Sequence, residues 1–382
     1  MDKIGIIGSG AMGTGIAQVL LQAGHEVSIY DTNIDALKKS EASLISTFNK
    51  LQEKGKITAE QVKKYVDQLF FVQELQQLEN SSLVIEAIIE DLEIKQSVFK
   101  QLEVIVSESC VLATNTSSLS IASIAAACKL PNRVIGIHFF NPAPLMALVE
   151  IIPAIQTDPT LPELIKNKVQ QWGKLPVITK DTPGFIVNRV ARPFYSEALR
   201  IADEQIADYA TIDAAMTEIG GFRMGPFTLM DFIGHDVNYR VTESVFNAFY
   251  YAPRFKPSLT QKRLLEAGYF GKKSGIGFYN YKSEAALPQP SEDHELKNKI
   301  FIRIICMLIN EAADSYYLNI ASKEDLETAM IKGVNYPKGL LAWGEEIGWK
   351  NVLQELDCLY EWYHEERYRA SPQIRIWAAE TK

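Results

Sequence analysis

The sequence predicts a doubly wound α/β domain with a mostly parallel sheet, followed by two tandem all-α domains. Three observations carry this. Short apolar runs alternate with helical patterns up to about residue 182. Beyond Pro183 strand-like runs nearly vanish. The helical texture that replaces them then recurs at an offset of 114 residues.

The first strand-like run is 3–7, and 26–30, 83–88, 111–114 and 134–139 follow, most of them rich in β-branched residues. A helical pattern at 12–23 ends at Gly24, a residue suited to the left-handed turn beyond a helix. Between the second and third of these runs the pattern predicts a helical hairpin, 33–54 and 58–69. It breaks at Gly55 and restarts with the capping box Thr58-x-x-Gln61. A further strand is expected at 147–152, after the turn Asn141-Pro-Ala-Pro. Helices are then expected at 185–201, 211–218 and 237–250. A Pro-, Ser- and acid-rich stretch from 283 reads as a linker, with helical texture resuming near His294.

The resumption is a repeat. Shifting the chain by 114 aligns 196–235 with 310–349 without a gap, and nine of the forty pairs are identical, among them Glu197/Glu311, Met216/Met330, Gly225/Gly339 and Gly234/Gly348. Average composition gives roughly two or three by chance. The expected organisation is therefore a cofactor domain at 1–182, a helical domain at 183–282, a linker at 283–295 and a second helical copy at 296–382. The copy replaces Asn188 with Ile302 and has no counterpart to the segment 271–279, so its expected role is architectural.

Composition removes several classes. With 39 Lys+Arg against 47 Asp+Glu the net charge is −8, a poor balance for a general nucleic-acid or membrane-surface binder. No apolar run approaches the roughly 18–20 residues of a membrane span. The N-terminus enters a strand at once, leaving no room for a signal peptide, and the expected location is cytoplasmic. Cys110, Cys128, Cys306 and Cys358 form no CxxC pair, so they read as reduced thiols, with no metal site expected.

Gly8-Ser-Gly-Ala-Met-Gly13 follows the first strand and opens a helix, the context that gives a GxGxxG motif its meaning. Gly8 permits the tight turn, Gly10 lets the backbone approach a pyrophosphate, and Gly13 allows close strand–helix packing. Ala11 and Met12 begin the helix whose N-terminus favours the phosphates. Asp31 ends the second strand, where a carboxylate accepts hydrogen bonds from an adenosine ribose and repels a 2′-phosphate; no Arg follows to receive one. This predicts a Rossmann-like domain binding NAD rather than NADP, with helix capping as the alternative role for Asp31. His138 lies at the end of an apolar strand, where α/β sheets bind ligands, although a histidine there is often a satisfied core residue. Glu150, on the returning strand, is spaced to meet the imidazole as a carboxylate partner.

These motifs, with Thr114-Asn-Thr-Ser-Ser-Leu119, Gly136-Ile-His-Phe-Phe-Asn-Pro142, Leu148-Val-Glu-Ile151, Asp181-Thr-Pro-Gly-Phe-Ile-Val-Asn-Arg189, Gly225-Pro-Phe227 and Phe270-Gly-Lys-Lys-Ser-Gly-Ile-Gly-Phe-Tyr279, resemble the L-3-hydroxyacyl-CoA dehydrogenase family over about residues 1–282. The hairpin resembles its 3-hydroxybutyryl members, and a second helical copy is a known extension. The resemblance implies helical domains like the C-terminal domain of 6-phosphogluconate dehydrogenase. It also implies NAD-dependent, reversible oxidation of an L-3-hydroxyacyl-CoA, as in fatty-acid β-oxidation, butyrate metabolism or aromatic-acid breakdown. In that reading His138 is the general base, Glu150 its partner, and Ser117 and Asn188 hold the reacting oxygens. Asn115, Glu90 and Lys95 lie near the cofactor, with a salt-bridged helix start as the alternative for the last two. Asn141 contacts substrate, and Lys50 and Lys54, beside Lys56 on the hairpin, offer charge to the phosphates of coenzyme A. Because single-copy relatives dimerise through the helical domain, the duplication implies a monomer containing an intramolecular pseudo-dimer, or else a homodimer formed elsewhere. The other readings are a dehydrogenase of a CoA-free hydroxy acid and a non-catalytic NAD-binding structural protein. A fused hydratase is not expected, since the cofactor domain begins at residue 3.

Overall fold

Eight strands align in one sheet in the computed structural model, which describes residues 1–282 and 288–381. They are β1 Lys3–Ile7, β2 Glu26–Tyr30, β3 Leu69–Val72, β4 Leu83–Glu86, β5 Val111–Thr114, β6 Val134–Phe139, β7 Leu148–Pro153 and β8 Leu175–Ile178, in the order β3-β2-β1-β4-β5-β6-β7-β8. All neighbours run parallel except β6 and β7. Helices α1 Ala11–Gln22, α4 Leu92–Ile105, α5 Ile121–Ala125 and α6 Leu161–Gln171 connect the strands, and α2 Ile34–Glu53 and α3 Ala59–Asp67 form the expected hairpin. Two apolar layers result. One gathers Ile4, Ile6, Ile16, Leu20, Ile29, Ile137, Val149 and Phe48; the other gathers Ile7, Val84, Phe99, Leu112 and Ile124. Neighbouring residues along β1 enter opposite layers, as the period of two requires.

The caps follow local chemistry. Asn33, not Asp31, caps α2, its side chain accepting from the backbone of Asp35 and Ala36. Thr58 and Gln61 complete the capping box of α3. Two strands lie outside the expected set. β3 is four residues long at one sheet edge, and β8 contains Pro176 at the other, where a missing N–H costs least. The run expected at 83–88 ends as a strand at Glu86, because the side chain of Glu86 accepts the N–H of Ile88 and turns the chain.

The chain divides into two compact units, Met1–Phe185 and Ile186–Lys382. The second holds α7 Val187–Val190, α8 Arg192–Asp203, α9 Tyr209–Ala214, α10 Pro226–Ile233, α11 His235–Ala248, α12 Leu259–Glu266, α13 His294–Tyr317, α14 Lys323–Gly333, α15 Leu340–Ile347, α16 Trp349–Tyr363 and α17 Pro372–Glu380. The linker expected at 283–295 lies partly outside the described residues, and α13 already begins at His294. The two helical copies, expected as separate domains, share this one unit because α8 packs directly on α13, with Ala198 and Ala312 both buried.

The 114-residue register is visible in the bonds. Asp213 accepts the backbone N–H groups of Phe227 and Thr228, and Glu327 accepts those of Leu341 and Ala342, so each carboxylate caps the equivalent helix. Gly234 and Gly348 both take positive φ, 98° and 91°. Between the copies, Arg189 Nε donates to Glu311 Oε1 at 2.6 Å and Arg303 Nε donates to Glu197 Oε1 at 2.7 Å. Adding 114 to Arg189 and subtracting it from Glu311 yields the other pair with the roles of the copies exchanged, the reciprocity of a twofold interface inside a single chain.

Candidate functional site

The glycine loop leaves β1 with its geometry set by sterics. Gly8 has φ +102°, and a Cβ there would sit 2.6 Å from the carbonyl oxygen of Ala87. A Cβ on Gly13 would overlap the carbonyl of Gly8, whereas one on Gly10 would meet nothing within 4 Å. The backbone at Gly10 is therefore open to an approaching group, and Gly10 is the N-cap of α1, which Ala11 and Met12 begin. A cavity of about 490 Å³ opens beside the loop, lined by Gly8, Gly10, Tyr30, Asp31, Ala87 and Ile88, among others.

Asp31 sits at the cavity wall and accepts from the N–H and hydroxyl of Ser9 and from the N–H of Asn33. Burial raises its pKa, but the backbone donors of Asn33 and Ser9 outweigh this and hold it below the usual carboxylate range. The side chain thus presents a fixed negative charge to whatever enters. An adenosine ribose fits this set of groups and an added 2′-phosphate does not.

Glu86 was not singled out from the sequence. It is fully buried at the end of β4, where its carboxylate accepts from Lys95 Nζ at 2.6 Å, from the hydroxyl of Thr114 and from the N–H of Ile88. Lys95 is only 1% exposed, and its ammonium is shared with Glu90 Oε2 at 3.4 Å. Glu90 and Lys95 thus form an ion pair beside the start of α4. Glu90 in turn accepts from the hydroxyls of Thr116, Ser117 and Ser118 and the N–H groups of Ser117 and Ser118. Burial pushes its carboxyl up, yet Thr116, Lys95, Ser118 and Ser117 hold it lowered, so it stays anionic and pins the loop that bears Ser117. Asn115 joins the neighbouring strands, its Oδ1 accepting the N–H of Phe139. Asp181 closes the other side of the loop, accepting from Ser120, Ile121 and Ala122 at the start of α5.

His138 and Glu150 are direct cross-strand partners in the β6–β7 ladder. The imidazole Nδ1 lies 2.7 Å from Glu150 Oε2, with His138 5% and Glu150 1% exposed. A carboxylate only accepts, so Nδ1 carries the hydrogen, which leaves the Nε2 lone pair to take a proton. The rings of Phe140 and Phe185 flank the imidazole at 4.5 and 5.8 Å. Asn141, at the cis peptide bond to Pro142, is exposed in the turn beyond β6. Lys50 and Lys54 are exposed at the end of α2, with no carboxylate bonded among the described residues.

In the helical unit Asn188 lies on α7, half-buried, one position before the interface residue Arg189. Cys110 and Cys128 are pushed up to about 11 by burial and are inert as nucleophiles at neutral pH. Among the described residues no cluster of three His, Cys, Asp or Glu forms a metal site, and no helix is long and apolar enough to cross a membrane.

Comparison with known proteins places these features together. Residues 3–182 match the NAD-binding domain of 3-hydroxyacyl-CoA dehydrogenase. The C-terminal domain of that enzyme matches twice, at 184–281 and 300–380. The chain is 37% identical to 3-hydroxyadipyl-CoA dehydrogenase of Escherichia coli K12, covering 98% of this chain and 97% of that one. A crystal structure of 3-hydroxybutyryl-CoA dehydrogenase from Escherichia coli K12 superposes with TM-score 0.94 at 36% identity, covering 99% and 98%. The (S)-3-hydroxybutyryl-CoA dehydrogenase of Ralstonia eutropha has TM-score 0.71 at 35% identity; 74% of this chain covers all of it. About a quarter of this chain thus has no counterpart in that structure.

Proposed function

The chain belongs to the 3-hydroxyacyl-CoA dehydrogenase family and is an NAD-dependent dehydrogenase, and we propose that it interconverts an L-3-hydroxyacyl-CoA and its 3-oxoacyl-CoA through His138. The observation that carries this assignment of roles is the buried His138–Glu150 pair across the antiparallel β6–β7 ladder. Bound at the glycine loop, NAD supplies the hydride acceptor. Nε2 of His138 takes the proton of the 3-hydroxyl as the carbinol carbon is oxidised, and returns it in the reverse direction. Glu150 holds the ring in the required tautomer and stabilises the imidazolium. Ser117 and Asn188 donate to the reacting oxygen and the thioester carbonyl, aligning the carbon that exchanges hydride. Glu90 and Lys95 contribute by fixing the Ser117 loop next to Asn115, and Asn141 borders the substrate. Lys50 and Lys54 offer their charge to the phosphates of coenzyme A, a role an acidic chain must concentrate locally.

Reduction of acetoacetyl-CoA followed by NADH absorbance tests the reaction. Turnover with NADH, little with NADPH and none of a free 3-oxo acid is expected; failure on every CoA thioester removes the assignment. Asp31 sets the cofactor preference through its charge.

We also propose a cytoplasmic monomer. The reciprocal pairs Arg189–Glu311 and Arg303–Glu197 occupy within one chain the surface that single-copy relatives are expected to use for dimerisation. Light scattering should give the chain mass, 42.9 kDa. A particle of twice that mass, joined through these helices, contradicts the proposal.

A further inference from the structure

Arg192 begins α8, four residues beyond Asn188. Helical hydrogen bonds run through the junction, from Val190 N to Ile186 O and from Ala191 N to Val187 O, so the two side chains leave the same face about 6 Å apart along the axis.

Arg192 is 5% exposed, and its guanidinium makes one hydrogen bond among the described residues, from Nη1 to the hydroxyl of Thr242 at 3.1 Å. Its Cζ lies 4.9 Å from the ring centre of Tyr195. No carboxylate pairs with it among the described residues, and its Nε is buried without a partner. The buried phenol of Tyr336, close enough to feel its charge, is unpartnered too. A guanidinium stays charged at any physiological pH, so burying one without an anion is strongly unfavourable. Other buried arginines in the unit, Arg189 and Arg303, each hold carboxylates.

The duplication supplies an internal control. Residues that build the scaffold recur at +114: Arg189 as Arg303, Glu197 as Glu311, Gly234 as Gly348. Arg192 becomes Cys306, its partner Thr242 becomes Leu356, and Asn188 becomes Ile302. The unpaired cation is thus lost together with the proposed substrate contact. The helical packing persists in the second copy without it.

We propose that Arg192 is a specificity-determining residue that pairs with a carboxylate at the far end of the acyl chain, making the preferred substrate a 3-hydroxydicarboxylyl-CoA. The proposal rests on the reaction assigned above. A carboxylate accepts from a guanidinium through two parallel hydrogen bonds, which uses the orphaned Nε, and it accepts the phenol of Tyr336 as well.

The test is kcat/KM on two thioesters of equal length, 3-hydroxyadipyl-CoA and 3-hydroxyhexanoyl-CoA. The native enzyme should favour the first by about 10²-fold or more, as sites built to bond a polar group reject analogues lacking it. In Arg192→Met that ratio should collapse toward one, Arg192→Lys should fall between, and the melting temperature of the Met variant should not drop. A native ratio near one overturns the proposal, even if the variants do not fold. So does a Met variant that slows both thioesters equally. Those results leave the dehydrogenase assignment standing, whereas no turnover of either thioester by the native enzyme would end both.

Discussion

Replacing His138 with alanine should lower kcat by about 10²–10⁴-fold while NAD still binds. The argument starts from the ladder. β6 and β7 are antiparallel neighbours, and their register sets His138 opposite Glu150, so the 2.7 Å contact follows from the backbone and needs no loop to place it. Both side chains are buried, and the carboxylate fixes Nδ1 as the protonated nitrogen. Removing the imidazole takes away the proton acceptor and leaves Glu150 buried. NAD affinity should survive, because the glycine loop and Asp31 lie on β1, α1 and β2, and none of their bonds involves His138. Glu150→Gln provides the contrast. It retains a hydrogen bond to the ring but removes the charge that stabilises the imidazolium, so kcat should fall with NAD binding intact. Stopped-flow absorbance of NADH, with a separate NAD titration, reads both quantities. Unchanged turnover in His138→Ala would take the histidine out of the mechanism.

How much of this was legible in the sequence depends on whether the signal was local. Gly8, Gly10 and Gly13 sit between a strand and a helix, and each is required by a clash or an approach that a Cβ would alter. The Thr58–Gln61 box is equally local. β3 was hidden because it follows α3 after a single residue, with Phe70 exposed and no turn residue to announce it. β8 was hidden by Pro176, which argues against a strand unless the strand is at an edge, as it is here. Glu86 carried a weak signal, an acid ending the apolar run Leu-Val-Ile, but its meaning depends on Lys95 and Thr114, nine and twenty-eight residues away. The 114-residue shift showed that Arg189 and Arg303 correspond. It did not show that each reaches the glutamate of the opposite copy, because that depends on α8 crossing α13. Arg192 was silent for the same reason: a helical arginine reads as solvated until its neighbours are known.

Glu311→Ala should destabilise the helical unit by about 3–5 kcal/mol, the cost of breaking a buried ion pair by removing one partner. Glu311 is 3% exposed and accepts from Arg189 Nε at 2.6 Å and Arg254 Nη1 at 3.1 Å. Its loss leaves the buried guanidinium of Arg189 and the half-buried one of Arg254 to share Asp314. The pseudo-twofold relation makes a further demand: Glu197→Ala should cost a similar amount. Glu197 accepts from Arg303 at 2.7 Å and from the phenol of Tyr368 at 2.8 Å, and residue 368 stands where 254 stands in the other copy. Disruption of the exposed Lys299–Glu295 pair, by contrast, should leave the melting curve unmoved. The pH dependence has a definite sign. Burial raises the pKa of Glu311, but Arg189 and Arg254 outweigh it and hold the group lowered. Its stabilisation is therefore complete above the unfolded carboxyl value of about 4.3 and is lost as pH falls through the lower folded value. Urea denaturation at neutral pH should separate wild type from Glu311→Ala by the full amount, and the two curves should converge only as the medium becomes more acidic than about pH 4. A gap that widened in acid, or a Glu197→Ala variant as stable as wild type, would mean that the two pairs do not hold the copies together.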